Sequence, residues 1–362
     1  MDEYQKEQEA HLKTLKFETR CVQSGFVKDD RNGSVCVPID LSTLWNKKDT
    51  RLPNSGINYL YSRLGHPTRN ALEHQLESIM QVKEVLTTNS IQSAYFTLSL
   101  LLNPQKDEII VLGHREKQIN MIKKIFQVQN LTNILHIVDS ADQVISHINN
   151  NTKIIVAEAP ENHNYEDLYQ QIKEKQSNDN QIIFGLDVST RYSRFRDDAD
   201  NKFQKFDFLV ADLQYFMGMD ELKMGAFAFN QETLYEKLKL IVNGSGCVCQ
   251  PMPGYLVSRG LKTLALRIDQ QLESSQQLFD KFNSEQFKMI REDQILVIDG
   301  IGKSVVDQVQ FDTIKKELTN SNYTHIEAED QRILIHIGIE DVEELEQDFQ
   351  KLVDAVIAHM NK

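Results

Sequence analysis

The chain has 362 residues, 40% hydrophobic and 26% charged, with 53 acidic against 40 basic side chains and a net charge of −13. This is the make-up of a globular protein of about two domains, and it excludes a fibrous or generally disordered one. The acidic balance argues against a surface that gathers phosphate backbones, so no nucleic acid is expected as a partner.

No apolar run approaches the about 20 residues of a membrane span. The opening MDEYQKEQEAHLK has neither a secretory apolar core nor an acid-poor, Arg-rich character, so a cytoplasmic location without membrane insertion is expected. Residues 3–15 have the composition of a polar helix, and an extended arm is expected through SVCVPIDLSTLW. From Ala71 helical and strand periods alternate. Helices are predicted near 69–82, 91–102, 116–127, 141–149, 165–176 and 231–242. Between them lie the runs EVLTT, EIIVL, ILHIV, KIIVAE, QIIFGLD, DFLVAD and GAFAF. Strands separated by single helices predict right-handed crossovers and a mainly parallel sheet covered on both faces. After Gly246 the pattern changes to one long helix from Pro253 to Phe282, the strand QILVID, a helix near 306–318, the strand RILIHIGI and a final helix near 341–359. That is a smaller α+β domain. The expected organisation is an N-terminal helix and arm over 1–58, an α/β domain over 59–245 and a C-terminal α+β domain over 246–362.

Ligands of open α/β sheets sit outside the carboxyl ends of the strands. The residues there are Thr88, Asn89 and Ser90; Glu158 to Asn162; Asp187; and Asp212 to Tyr215. Each taken singly reads as a helix cap or turn residue. Asp187 has a further plain reading, a turn carboxylate neutralised by Arg191. The four cysteines are too few and too unevenly placed for a disulfide framework, and CVC at 247–249 has no neighbouring ligands to complete a metal set. Reduced, packed thiols are expected, and no metal.

Several segments carry a resemblance. YLYSRLGHPTRNALE, EAPENH, SRGLKTLALR and IHIGIEDVEELEQDF resemble, in this order and over roughly residues 17–360, segments of the Cys/Met-metabolism family of pyridoxal-phosphate (PLP) enzymes, the cystathionine γ-synthases, γ-lyases and their relatives. The resemblance implies fold type I of the PLP-dependent transferases: a mostly parallel seven-stranded sheet with helices on both faces and a small C-terminal α+β domain.

It also implies site residues. The family's lysine, whose imine makes PLP an electron sink, falls on Gln214, and an amide nitrogen forms no such imine. The hydroxyls that help hold the phosphate fall on Ala211 and Leu213, or on Asp212 with a one-residue gap. The phosphate turn has Ser90 where the family has Gly. The ring-stacking Tyr falls on Glu116, and the Arg that clamps the substrate carboxylate falls on Leu334, two residues from Arg332. Lys223 is the nearest substitute amine. The C-terminal domain is shortened between Phe282 and Arg332 relative to the family pattern. Retained are Asp187, which in the family pairs with the pyridine nitrogen; Asn162, near the ring; and Tyr61 and Arg63, which in the family reach the neighbouring subunit's phosphate.

The expectation is a pseudoenzyme acting as a structural or regulatory subunit. It would pair through a two-fold interface with itself or with a catalytically competent paralogue, or within a larger assembly. No covalently bound PLP is expected, with weak or in-trans binding as the residual role of Tyr61, Arg63, Ser90, Asn162 and Asp187. The alternatives are an active PLP-dependent C–S lyase or synthase with a relocated lysine, and a non-covalent small-molecule sensor.

Overall fold

The computed structural model describes residues 11–12, 14–25, 36–45, 59–159, 165–176, 181–196, 203–218, 222–284, 287–299, 324–329 and 332–360. Asn162, the expected helix near 306–318 and most of the one over 3–15 lie outside them. The chain forms two compact units that divide between Thr263 and Leu264.

In the first unit, helix α1 (Phe17–Gln23) precedes the arm, which carries no helix over residues 36–45. The elements that follow are α2 (Pro67–Met80), β1 (Glu84–Thr88), α3 (Ile91–Ser99), β2 (Glu108–Leu112), α4 (Glu116–Val128), β3 (Leu135–Val138), α5 (Ala141–His147) and β4 (Thr152–Glu158). Then come α6 (Tyr165–Lys175), β5 (Ile183–Asp187), β6 (Phe208–Asp212), the short α7 (Leu213–Met217), β7 (Gly225–Phe229), α8 (Glu232–Ser245) and α9 (Pro251–Leu261). All seven predicted runs are strands of one sheet, in the order β1-β7-β6-β5-β4-β2-β3. The β6-β5-β4-β2-β3 neighbours are parallel and β7 is antiparallel to both of its neighbours.

Continuous apolar runs are what a sheet buried on both faces requires. On one face Val111, Ile154, Val156 and Phe208 pack with residues of α3, α4 and α8 such as Leu98, Phe126 and Leu238. Gly185 in β5 is dictated by the sheet itself, since a Cβ there would lie 2.2 Å from Phe208 Cζ.

The second unit holds α10 (Leu264–Phe282), β8 (Met289–Glu292), β9 (Ile295–Asp299), β10 (His325–Glu329), β11 (Arg332–His336) and α11 (Val342–Met360). Its four strands are antiparallel in the order β10-β11-β9-β8, and Leu278, Leu296, Ile333, Ile335 and Phe349 build its core. The single helix predicted from Pro253 to Phe282 is two, α9 and α10. Lys262 and Thr263 donate to carbonyls three residues back, Arg259 O and Gly260 O, and this tightened turn ends α9.

Candidate active site

Three neighbouring parallel strands deliver the polar groups. β4 ends in Glu158 and β5 in Asp187, and these two are Cα partners in the ladder. Two carboxylates therefore leave adjacent strands at the same level, an arrangement that needs a cation between them. It comes from the third strand: Arg115 follows β2 as the N-cap residue of α4. Its Nε donates to Glu158 Oε1, and its Nη2 lies 3.6 Å from Asp187 Oδ1. The backbone N–H groups of His114 and Arg115 donate to Glu158 Oε2 at 3.0 and 3.2 Å.

Asp187 is 2% exposed. Tyr95 Oη of α3 donates to its Oδ2 at 2.7 Å, and Gln118 Nε2 of α4 donates to the same oxygen. The backbone of Ser189 donates to Oδ1 at 3.0 Å. Gln118 is itself fixed: its Nε2 reaches Tyr95 Oη at 3.0 Å, and its Oε1 accepts from Arg115. Three hydrogen-bond donors and the ion-paired Arg115 guanidinium thus meet a carboxylate with about four lone-pair sites.

The electrostatics follow from this packing. Burial opposes the Arg115 charge, but Glu158 and Asp187 outweigh it and hold the guanidinium above its usual pKa. Burial raises the Glu158 carboxyl, and Arg115 with the two backbone donors more than reverses this, leaving it below the usual range. Burial and the neighbouring Asp187 push the Tyr95 hydroxyl well above its ordinary value.

Gln214 is the second residue of α7, immediately beyond β6, and its backbone N–H donates to Asp212 Oδ1 at 3.1 Å. Ala211 and Leu213 are buried apolar side chains. Asp212 is half-buried; burial raises its pKa, opposed by the Gln214 N–H and the charge of exposed Lys223.

Ser90 caps α3, its Oγ accepting from Ser93 N at 3.1 Å. Its backbone is extended (φ −167°), a conformation that any residue adopts. The tight spot lies opposite, at Gly225, where a Cβ would come within 2.7 Å of Ser90 O. The backbone N–H of Asn89 is committed to Cys247 O.

Tyr61 and Arg63 sit on an exposed turn, with the Arg63 guanidinium 5.3 Å from the Tyr61 ring centroid. Buried Arg69 ties this turn down by donating to Ser62 O at 2.9 Å and Arg63 O at 3.5 Å. Arg332 opens β11 as an exposed residue, while Leu334 packs with Ile295 and Val297.

The structure therefore brings Glu158 and Asp187 together; Arg191 Nε donates to Ala159 O, and the Arg115 guanidinium lies 3.6 Å from Asp187. Tyr95, Arg115 and Gln118 were not singled out from the sequence. The available signal was an arginine three residues after one apolar run, in a chain where two other such runs end in Glu158 and Asp187. Cys21 and Cys249 are buried and Cys247 half-buried, as expected of packed thiols, whereas Cys36 is exposed; burial and then Glu73 push the Cys249 thiol up to about 12. Among the described residues no cluster of His, Cys, Asp or Glu is arranged to hold a metal ion, and no helix is long and apolar enough to cross a membrane.

A seven-stranded, mostly parallel sheet between helices, with a carboxylate ending β5 and a small antiparallel C-terminal sheet, is fold type I of the PLP-dependent transferases. The chain belongs to the Cys/Met metabolism PLP-dependent enzyme family, whose model matches residues 18–288. It is 27% identical over 286 residues to cystathionine beta-lyase of Neurospora crassa, covering 72% of this chain and 56% of that protein. It is 27% identical over 268 residues to cystathionine gamma-lyase of Dictyostelium discoideum, covering 70% and 65%. The chain thus matches less than two thirds of the length of these two relatives. Its structure is similar to metB from Corynebacterium glutamicum, with TM-score 0.77 at 19% identity over 96% of this chain and 99% of that one. It is also similar to cystathionine gamma-lyase from Lactobacillus plantarum complexed with L-serine, with TM-score 0.73 at 18% identity over 94% and 99%.

PLP is the cofactor of this family. The residues described do not fit a ring nitrogen on Asp187: its oxygens already hold three hydrogen-bond donors of the chain itself, with the Arg115 guanidinium 3.6 Å away.

Proposed function

We propose that this chain is a non-catalytic member of the trans-sulfuration branch of its family, serving as a structural or regulatory subunit. The observation that carries the reading is Gln214, an amide where the chemistry of the family needs an amine. The relatives bear the names of enzymes, and the reading departs from them at this residue. The partner is a second copy or a catalytically competent paralogue, and exposed Tyr61 and Arg63 are the groups offered to it. A second reading is favoured by one observation: the charge of Lys223 acts on Asp212 beside Gln214, so a relocated amine at Lys223 would make the chain an active C–S lyase or synthase.

Borohydride separates the two. The full chain incubated with PLP and reduced should carry no cofactor adduct on Lys223 or any other lysine near the site, and it should not cleave cystathionine. The Gln214→Lys variant should likewise show no turnover, because catalytic groups that act as a unit are not restored singly. A reducible adduct at Lys223 with turnover would establish the second reading and end the first.

A further inference from the structure

Glu158 and Asp187 stand side by side at the ends of two parallel strands, 9% and 2% exposed. Two buried carboxylates so placed repel each other unless a cation lies between them, and burying an unpaired charge is costly. In an enzyme of this fold the cofactor ring nitrogen can answer one of them. Here the answer is intramolecular. Arg115 is 9% exposed, its Nε donates to Glu158, and its Nη2 faces Asp187 at 3.6 Å. Gln118 bridges the guanidinium to Asp187 and to Tyr95, whose hydroxyl takes a further Asp187 lone pair at 2.7 Å. The planar fork of arginine suits this double duty; lysine, a point charge on a flexible stem, does not.

We propose that Arg115, seated by Gln118 and Tyr95, is a built-in counter-cation that replaces the cofactor's ring nitrogen on Asp187 and closes the ring subsite from within. The inference deepens the non-catalytic reading and rests on it. It also gives Asp187 a present duty: the carboxylate is kept as the fixed partner of a buried guanidinium. The fold then holds its strand-end charges without any cofactor.

The decisive ligand is pyridoxamine 5′-phosphate, which carries the ring nitrogen and phosphate but no aldehyde. Dialysed against the full wild-type chain it should show no saturable binding and leave the melting temperature unchanged. Saturable binding that raises the melting temperature would overturn the closed subsite while leaving the non-catalytic reading standing, since no imine is involved. A reducible adduct with PLP would instead remove the non-catalytic reading.

The second arm is a double-mutant cycle. Asp187→Asn turns an amide N–H toward the donors of Tyr95 and Gln118 and should lower the melting temperature by about 5 °C or more, as breaking a buried pair does. Arg115→Gln should do likewise, and the double variant should fall by less than the sum of the two. Strict additivity, or Asp187→Asn melting with the wild type, overturns the proposal. Should Arg115→Gln not fold, Asp187→Asn alone decides in the same way.

Discussion

Glu73 leaves helix α2 toward strand β1, where Thr87 donates to its Oε1 from backbone and hydroxyl at 3.0 and 2.9 Å, with Arg69 Nε 3.9 Å away. Burial raises its pKa, and Arg69 and Thr87 only partly offset this. Glu158 is the opposite case, its pKa depressed by Arg115 and two backbone donors against the pull of burial. The signs work out oppositely. A raised folded pKa means the folded chain binds the proton more tightly, so the stability Glu73 contributes is lost as pH rises from about 4.3, the ordinary glutamate value, through its folded pKa. A depressed one means that the Glu158 contribution, present at neutral pH, is lost as pH falls from about 4.3 through its folded pKa. Urea unfolding of Glu73→Gln should therefore show the variant gaining on wild type as pH rises from about 4 to 7. Glu158→Gln should lose about 3–5 kcal/mol at neutral pH by leaving a buried pair broken, with the deficit shrinking in acid. Curves parallel to wild type for either variant would refute the assignment of these shifts.

At the scale of elements, the sheet was the legible part of the sequence. All seven strands are continuous β-branched or aromatic runs between turn signals, and burial on both faces enforces that pattern. Strands β8 (MIRE) and β10 (HIEAE) escaped because they mix charged and apolar residues at the edges of an open four-stranded sheet. The break between α9 and α10 escaped because no proline marks it; the turn is set by Lys262 and Thr263 bonding three residues back. In the candidate site the strand-end acids Glu158 and Asp187 were legible as polar residues closing apolar runs. The Arg115, Gln118 and Tyr95 network was not, because it joins two helices and three strand ends and leaves no local periodicity.

A test of the sheet's packing follows from Gly185. An alanine Cβ there would sit 2.2 Å from Phe208 Cζ across the β5-β6 pair, so Gly185→Ala should cost about 1–3 kcal/mol or more by overpacking. Adding Phe208→Ala, which opens the space, should make the pair of substitutions cost less than their sum in thermal denaturation. Additive losses would mean that the ring is not what excludes the side chain.

At the scale of the whole molecule, the subunit reading puts the association surface on the arm. Leu41 is 67% exposed, Leu44 69% and Leu64 52%, with Ile39, Leu60 and Tyr61 also open. They lie on two paired segments: Leu44 bridges to Tyr61, Trp45 N donates to Leu60 O, and Ser62 N donates to Thr43 O. Single exposed apolar residues are ordinary, but a set carried together is the mark of an association surface. On the subunit reading, this surface and the neighbouring Arg63 meet a partner across a two-fold axis, which predicts at least a dimer in sedimentation at micromolar concentration. Replacing Leu41 and Leu44 together by Glu should shift the chain toward monomer, since charges are depleted from interface cores. It should leave the fold intact, because exposed substitutions usually change stability by no more than about 0.5 kcal/mol. The sole tryptophan, Trp45, packs with its ring centroid 5.4 Å from those of Tyr59 and His66, so an unchanged emission spectrum would show the arm still seated in the variant. If a competent paralogue is the partner, Arg63→Ala in the co-purified heteromer should weaken the paralogue's PLP affinity by about 1.5–3 kcal/mol for each charge-assisted bond lost. A wild-type monomer would overturn the predicted dimer, and a double variant that remains dimeric would place the interface elsewhere and remove the arm from the proposal.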